Sequence, residues 1–225
     1  MSERKFLLEL CSGTGSIGKP WREAGHRVFS VDCDPRYSPE LCGDILEWDY
    51  RSLETPDVIW ASVPCEQYSI ARTRAKTPRN HELADSLVAK AAEIIKHFQI
   101  LNPELIWFCE NPASSQLWSR AVAWDLYPRL TLDYCQYNGP GYRKRTKIAT
   151  NVFWHPRPLC DPRTCPSCVG GLLTRSAPTG PTTGKAPGGN CRLHALHAFP
   201  RALCDDSSNA SPALVVRTAH DTRRV

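Results

Sequence analysis

The stretch LELCSGTGSIGKPW, at residues 8–21, decides the fold prediction, because it joins an apolar run to a glycine-rich turn and then to a helix start. Gly13, Gly15 and Gly18 spell G-x-G-x-x-G within it. Glycines in such a turn let a ligand approach the backbone, and the following helix start presents amide donors. The pattern alone does not identify a ligand, and a tight structural turn is its ordinary alternative.

Apolar strands and helices alternate on both sides of this turn. Strands are predicted at 5–10, 26–31, 57–63 and 105–109, and helices at 17–25 and 81–101. The alternation predicts an α/β protein with a doubly wound, mostly parallel sheet. Ligands of such sheets bind at the carboxyl ends of the strands, where the candidate site residues fall.

Composition limits the classes of protein that this chain represents. Its 225 residues, 41% hydrophobic and 23% charged, predict one domain of ordinary size with a small appendage. The net charge of +5 permits a polyanionic partner. Without a long apolar run or a signal-peptide core, we expect no membrane association and an intracellular protein, nuclear in a eukaryote or cytoplasmic in bacteria and phage. Eleven cysteines then indicate thiols, a nucleophile or metal ligands.

The composition changes after residue 152. We expect a catalytic domain at 1–152, a segment rich in Cys and His at 153–204 and a flexible tail at 205–225. The second segment contains C-x4-C-x2-C, which is typical of a tetrahedral zinc site, although free thiols on a loop are the alternative. The expected zinc ligands are Cys160, Cys165, Cys168 and Cys191, with His194 or His197 as alternates.

Acidic residues beside the glycine turn favour one ligand over another. Glu9 precedes the turn, Asp32 ends the second strand and Asp44 follows in CGDILEWD, although each also suits a cap or turn. Carboxylates accept an amino group, a sulfonium and ribose hydroxyls better than a pyrophosphate. We therefore expect S-adenosylmethionine rather than NAD. The candidate cofactor contacts are Glu9, Leu10, Cys11, Gly13, Thr14, Gly15, Ser16, Asp32, Cys33, Asp44 and Ile45.

A candidate nucleophile ends the third strand. Cys65 follows Pro64 there, and Glu110 with Asn111 ends the neighbouring fourth strand. An isolated cysteine is usually a structural thiol, but a carboxyl group nearby offers an acid or base. The intervening loop is basic and is expected to reach phosphates, a solvated basic loop being the alternative. Its cationic residues are Arg72, Arg74, Lys76 and Arg79.

In combination these motifs resemble those of the cytosine-C5 DNA methyltransferase family. ELCSGTGS, at 9–16, resembles the family's cofactor motif D-L-F-A-G-x-G-G, and PCEQYS, at 64–69, its P-C-Q-x-F-S. Glu110-Asn111 resembles its E-N-V, and Arg143-Lys144-Arg145 its Q-x-R-x-R strand. The resemblance covers residues 5–152 and is greatest to compact phage-type members. Asn190, after Gly189, matches the family's last cofactor motif.

The resemblance implies a mechanism and leaves the substrate partly open. Cys65 would add to C6 of a flipped cytosine, and Glu110 would contact N3 and the exocyclic amine. Arg145, with Arg143 as the alternative, would hold the ring or assist Glu110. DNA is the expected partner. The chain is too short for a full target-recognition domain, so RNA stays an alternative substrate, and a silent nucleic-acid-binding protein is the alternative function.

Overall fold

The computed structural model describes residues 4–73, 75–137 and 143–165. Some predicted site residues lie outside these ranges. They are Arg74, Cys168, Asn190, Cys191, His194 and His197.

One seven-stranded sheet organises the described chain, in the order β3-β2-β1-β4-β5-β7-β6. The first five strands in this order are parallel, and β7 runs antiparallel to both β5 and β6. The strands are β1 Phe6–Leu10, β2 Arg27–Asp32, β3 Leu41–Cys42, β4 Val58–Ala61, β5 Ile106–Pro112, β6 Arg129–Asp133 and β7 Arg145–Thr150. The two α-helices are α1 Gly18–Glu23 and α2 His81–Leu101.

The predicted α/β fold with a mostly parallel sheet is confirmed, and several element boundaries differ by a few residues. Helix α1 ends at Glu23, two residues before the predicted end. Strand β5 continues to Pro112, so that Glu110 and Asn111 lie within the strand and not after it. The extension exists because β7 pairs with β5 as far as Pro112, a long-range contact that local sequence does not encode.

Each face of the sheet carries its own core. Leu8 and Ile59 pack beneath α2 with its buried Phe98, whereas Leu7 and Trp60 face the opposite side with Trp21 of α1. Adjacent strand residues point to opposite faces, so covering both faces requires strands that are apolar throughout. This explains why β1 is buried at all five positions.

Helix α2 begins and ends at recognisable signals. The Asn80 side chain accepts a hydrogen bond from the Leu83 amide at 3.0 Å, which satisfies one of the unpaired amides of the first turn. Pro103 follows soon after the last helical residue, Leu101. Neither α2 nor any other helix in the described ranges combines the length and apolar character needed to cross a membrane.

Candidate active site

The glycine turn after β1 is tied to the end of β2. Gly13 and Gly15 both have positive φ, 50° and 64°, which favours glycine at these positions. The Gly13 amide donates to Asp32 Oδ2 at 2.7 Å. A Cβ atom built on either glycine would meet no atom within 4 Å. The turn therefore faces open space in which a ligand fits against the backbone.

The buried Glu9 side chain caps the amino end of α1. Its two carboxylate oxygens accept hydrogen bonds from the Ile17 and Gly18 amides at 3.3 and 3.1 Å, and the residue is 1% exposed. Burial raises the pKa of Glu9 to about 7. A Cβ on Gly18 would lie 2.5 Å from Glu9 Oε2, so the third glycine is required for this contact. Glu9 thus organises the turn, and its direct contact with a cofactor amine stays a prediction.

The other two acids lie near the same turn. Asp32 Oδ1 accepts from the Asp34 amide at 2.9 Å, and the exposed Asp44 accepts from the Leu46 amide at 2.9 Å. Burial, with smaller effects of Asp32 and Asp44, raises the pKa of the Cys11 thiol. Both carboxylates are therefore close to Cys11 in the glycine turn. The edge of the turn is acidic, so it attracts a ligand that carries a positive charge and repels a pyrophosphate.

Cys65 lies where β4 gives way to a turn. Asn111 Nδ2 donates to the Val63 carbonyl at 2.8 Å, which fixes the backbone just before Pro64 and Cys65. The Cys65 carbonyl accepts from the Tyr68 amide at 3.1 Å. Burial, then the nearby Glu110, raises the pKa of the Cys65 thiol, and Lys144 acts in the opposite direction. The turn thus holds Cys65 after the end of β4, with a thiol pKa above its ordinary value.

Glu110 and Lys144 form an ion pair beside this thiol. Lys144 Nζ lies 3.2 Å from Glu110 Oε1, with the side chains 33% and 13% exposed. The ammonium also lies 4.9 Å from the ring centroid of Tyr134. The sequence prediction considered the arginines on either side of Lys144 but not Lys144 itself. A register for the antiparallel β5–β7 pair would have been needed to find it.

Arg145, predicted to hold the ring or to assist Glu110, pairs with another acid in the structure. Arg145 makes a bidentate ion pair with Asp133. Its Nε donates to Oδ1 at 2.9 Å, and its Nη2 donates to Oδ2 at 2.7 Å. Asp133 is fully buried, and Arg143 also lowers its pKa, so both arginines act toward Asp133. Consecutive residues of an extended chain point to opposite sides, which explains why Lys144 and Arg145 pair with different acids. Direct contact of either arginine with a base stays a prediction.

The basic loop uses two of its arginines internally. Arg72 donates to the Gln67 side chain and to Thr77 Oγ1, the latter at 2.7 Å. Arg79 donates to the carbonyls of Gln67 and Ser69, both at 2.8 Å. Lys76 is exposed. Arg72 and Arg79 therefore hold the loop in shape, and contact of the loop cations with phosphates stays a prediction.

Three cysteines meet next to the end of β6. The Sγ atoms of Cys135, Cys160 and Cys165 lie within 4.8 Å of one another. Cys160 and Cys165 belong to the predicted zinc set, whereas Cys135 was not predicted because it lies before the C-x4-C-x2-C motif. The other predicted ligands, Cys168 and Cys191, and the alternates His194 and His197 lie outside the described residues.

Comparisons with known proteins agree on one family. The family model for C-5 cytosine-specific DNA methylase matches residues 6–112. A "Probable DNA (cytosine-5)-methyltransferase" of Frog virus 3 (isolate Goorha) is 32% identical over 177 residues, covering 72% of this chain and 78% of the viral protein.

Two solved structures are similar to this chain at lower identity. The S. pombe Dnmt2 methyltransferase is 17% identical with a TM-score of 0.45, and the Entamoeba histolytica methyltransferase EhMeth is 13% identical with a TM-score of 0.43. The matches cover 68% and 66% of this chain. The chain spans only about half of each solved protein, 54% and 53%.

Proposed function

We propose that this chain, which belongs to the C-5 cytosine-specific DNA methylase family, transfers a methyl group from S-adenosylmethionine to C5 of cytosine in DNA. The observation that carries the proposal is the meeting of Cys65, Glu110 and Lys144 at the carboxyl ends of β4 and β5. A nucleophile, a proton-carrying group and a fixed positive charge are the parts that covalent activation of a pyrimidine ring needs.

Cys65 supplies the nucleophile. C5 of cytosine is a weak nucleophile until a thiolate adds to C6, which forms an S–C6 bond and moves the C5–C6 double-bond electrons toward C5. When bound, S-adenosylmethionine supplies an electrophilic methyl group for that carbon. Loss of the C5 proton and departure of the Cys65 thiolate then restore the aromatic ring and the free enzyme.

Glu110 and Lys144 control the proton that this step requires. The charge of Glu110 raises the pKa of Cys65, so a proton taken up by Glu110 favours the thiolate. Protonated Glu110 can donate to N3 of the ring, where electron density accumulates as the C6 bond forms. The Lys144 ammonium, 3.2 Å from Glu110, keeps a positive charge beside both groups.

The glycine turn fits the cofactor. Open space above Gly13 and Gly15 gives room for a ligand against the backbone. We assign to Asp32 and Asp44, whose carboxylates lie near this turn, hydrogen bonds from ribose hydroxyls and from an adenine amine. No basic side chain among the described residues 8–18 would balance a pyrophosphate, which supports S-adenosylmethionine over NAD.

DNA is the proposed substrate, and the target base has to leave its stack. A cytosine inside a duplex keeps its C6 out of reach of a thiol, so the nucleotide has to flip out or be single-stranded already. The loop that holds the exposed Lys76 follows Cys65 in the chain, which supports a contact with the substrate backbone. RNA is the alternative substrate that the experiment has to exclude.

The zinc ion expected from the cysteine spacing is proposed as a structural ion only. Structural zinc sites are closed by Cys and His ligands, whereas catalytic sites keep a position for water. The Cys160 amide donates to Asp133, so the cysteine cluster lies beside the Asp133–Arg145 pair. Glu110 instead contacts Lys144, the residue before Arg145, on the other side of the chain.

The test is methyl transfer from labelled S-adenosylmethionine to matched duplex DNA, single-stranded DNA and RNA of one cytosine-rich sequence. We expect label at C5 of cytosine in DNA, none with Cys65→Ser and normal labelling with Cys42→Ser, an exposed thiol on β3. Label in RNA alone would overturn the DNA assignment. Equal labelling by the wild type and Cys65→Ser would overturn the mechanism.

A further inference from the structure

We propose that Cys135, Cys160 and Cys165 are three ligands of one structural zinc ion that fastens the chain after β7 to the end of β6. The proposal does not rest on methyl transfer, because it concerns a different set of side chains. It adds Cys135, which the sequence motif does not contain.

The sulfur atoms have the spacing of a metal site. A tetrahedral zinc ion binds sulfur at about 2.3 Å, which separates its sulfur ligands by about 3.8 Å. The three Sγ atoms lie within 4.8 Å of one another, and the residues are 8%, 5% and 5% exposed. A disulfide would join only two of the three. A single ion explains why three thiols from distant parts of the chain converge.

The two ends of the cluster come from different structural units. Cys135 lies in the 3-10 turn Tyr134–Tyr137 that follows β6. Cys160 and Cys165 lie on the segment after β7, which contains neither α-helix nor β-strand as far as residue 165. The Cys165 amide donates to the Asp161 carbonyl at 2.9 Å, so a tight turn brings both cysteines to one side. Such a turn between two ligands is typical of zinc-binding loops.

The apolar core holds only the beginning of this segment, through Val152 and Trp154, and does not include the cysteines. The three cysteines form a small buried cluster separate from the two cores on the faces of the sheet. The surrounding contacts are polar, including Arg157 Nη1 to the Gln136 carbonyl at 2.7 Å and the Cys160 amide to Asp133 Oδ2 at 2.9 Å. A metal crosslink supplies the stabilisation that a segment without its own core requires.

The residues around the sulfurs suit thiolates bound to a cation. Gln136 Nε2 lies 3.9 Å from Cys135 Sγ and 3.8 Å from Cys165 Sγ, within reach of both acceptors. Arg145 also lies near the cluster, although Asp133 balances its charge. Donors such as the Gln136 amide orient metal-bound sulfur and stabilise its negative charge.

The position of the cluster links it to the substrate side of the sheet. Strand β6 ends at Asp133, which pairs with Arg145 at the start of β7. Antiparallel pairing of β7 with β5 places Thr146 opposite Pro112, so this end lies at the same edge as the end of β5 and Glu110. The ion would therefore fix the chain beyond β7 next to the nucleic-acid side of the active site.

Metal analysis of the full chain, prepared without chelators, provides the test. We expect about one zinc per chain by elemental analysis and at least three sulfur atoms near 2.3 Å by X-ray absorption at the zinc edge. Cys135→Ser should lower zinc affinity at least 100-fold, with Cys42→Ser as the matched control. Cys135→His, which keeps a ligand atom, should retain more zinc than Cys135→Ser.

Measurements of cobalt binding and of cofactor binding complete the test. If Cys135→Ser does not fold, cobalt bound by the wild-type chain still reports the ligands, because three thiolates give an intense sulfur-to-cobalt charge-transfer band. No zinc in the wild type, fewer than three sulfurs around it, or full zinc retention by Cys135→Ser would overturn the site. Binding of S-adenosylmethionine, measured on the same preparations, tests the proposed function independently.

Discussion

Lys144 Nζ lies 3.2 Å from Glu110 Oε1, and the same ammonium lowers the pKa of Cys65. One lysine thus acts on both the proton-carrying group and the nucleophile. Arg145 pairs with Asp133 instead, and Arg143 lowers the pKa of the same carboxyl. The three consecutive cations therefore act on two different acids.

Replacement of Lys144 should move the pH dependence of methylation. Lys144→Gln removes the positive charge that opposes burial and Glu110 at Cys65, so the pKa of the thiol should rise further. We expect the rate to fall about tenfold near pH 7, the change expected for one pKa unit, and to recover as the pH rises. The check is a pH–rate profile, with the exposed Lys96→Gln as the control. An unshifted profile would remove Lys144 from the mechanism.

A fluorinated substrate should trap the covalent intermediate. Fluorine at C5 of cytosine cannot leave as a proton, so the chain should stall with Cys65 bonded to C6 after methyl transfer. We expect an adduct on denaturing gels that requires S-adenosylmethionine and is absent in Cys65→Ser. Glu110→Gln should slow adduct formation about 100-fold or more, the usual scale for a positioned proton donor. An adduct formed by Cys65→Ser would assign the nucleophile elsewhere.

Glu9 should make folding stability depend on pH. Its pKa is about 7 in the folded chain, against the ordinary value of 4.5. The folded state therefore binds more protons than the unfolded state between these values, so stability is greatest below about pH 4.5 and falls as the pH rises to about 7. The loss from this group is on the order of 3 kcal/mol at most.

Urea unfolding of the wild type and Glu9→Gln at pH 5, 6, 7 and 8 checks this contribution. The difference in unfolding free energy between the two proteins should fall between pH 5 and 7 and stay level above pH 7. Glu104→Gln, an exposed change, should leave the profile of the wild type unaltered. A wild-type profile parallel to that of Glu9→Gln would mean that Glu9 does not titrate in this range.

The basic loop should separate into cations that bind DNA and cations that hold the loop. Lys76→Gln should weaken DNA binding and reduce the salt slope by about 0.9, the value for one phosphate contact. Arg79→Gln should instead increase amide hydrogen exchange of residues 66–80, because Arg79 donates to two carbonyls there. Salt titrations of DNA affinity and exchange measurements distinguish them. Equal salt slopes for wild type and Lys76→Gln would exclude a phosphate contact.

The sequence by itself determined the fold class and the order of the chemical motifs. The apolar runs that became β1, β4 and β5 are almost continuous because both faces of a parallel sheet are buried, and this pattern is local. The helical spacing of α2 is likewise local, and its predicted bounds agree with the structure. Cys65 and Glu110 could be expected to meet because neighbouring parallel strands end at one edge.

Only the tertiary structure decided which cation serves Glu110 and which cysteine joins Cys160 and Cys165. Both depend on β7 and β6 pairing antiparallel beside β5, a long-range arrangement in which a shift of one residue reverses every side chain. Local sequence carries no record of that register. The partners of Lys144 and Cys135 could therefore be recognised only from the tertiary structure.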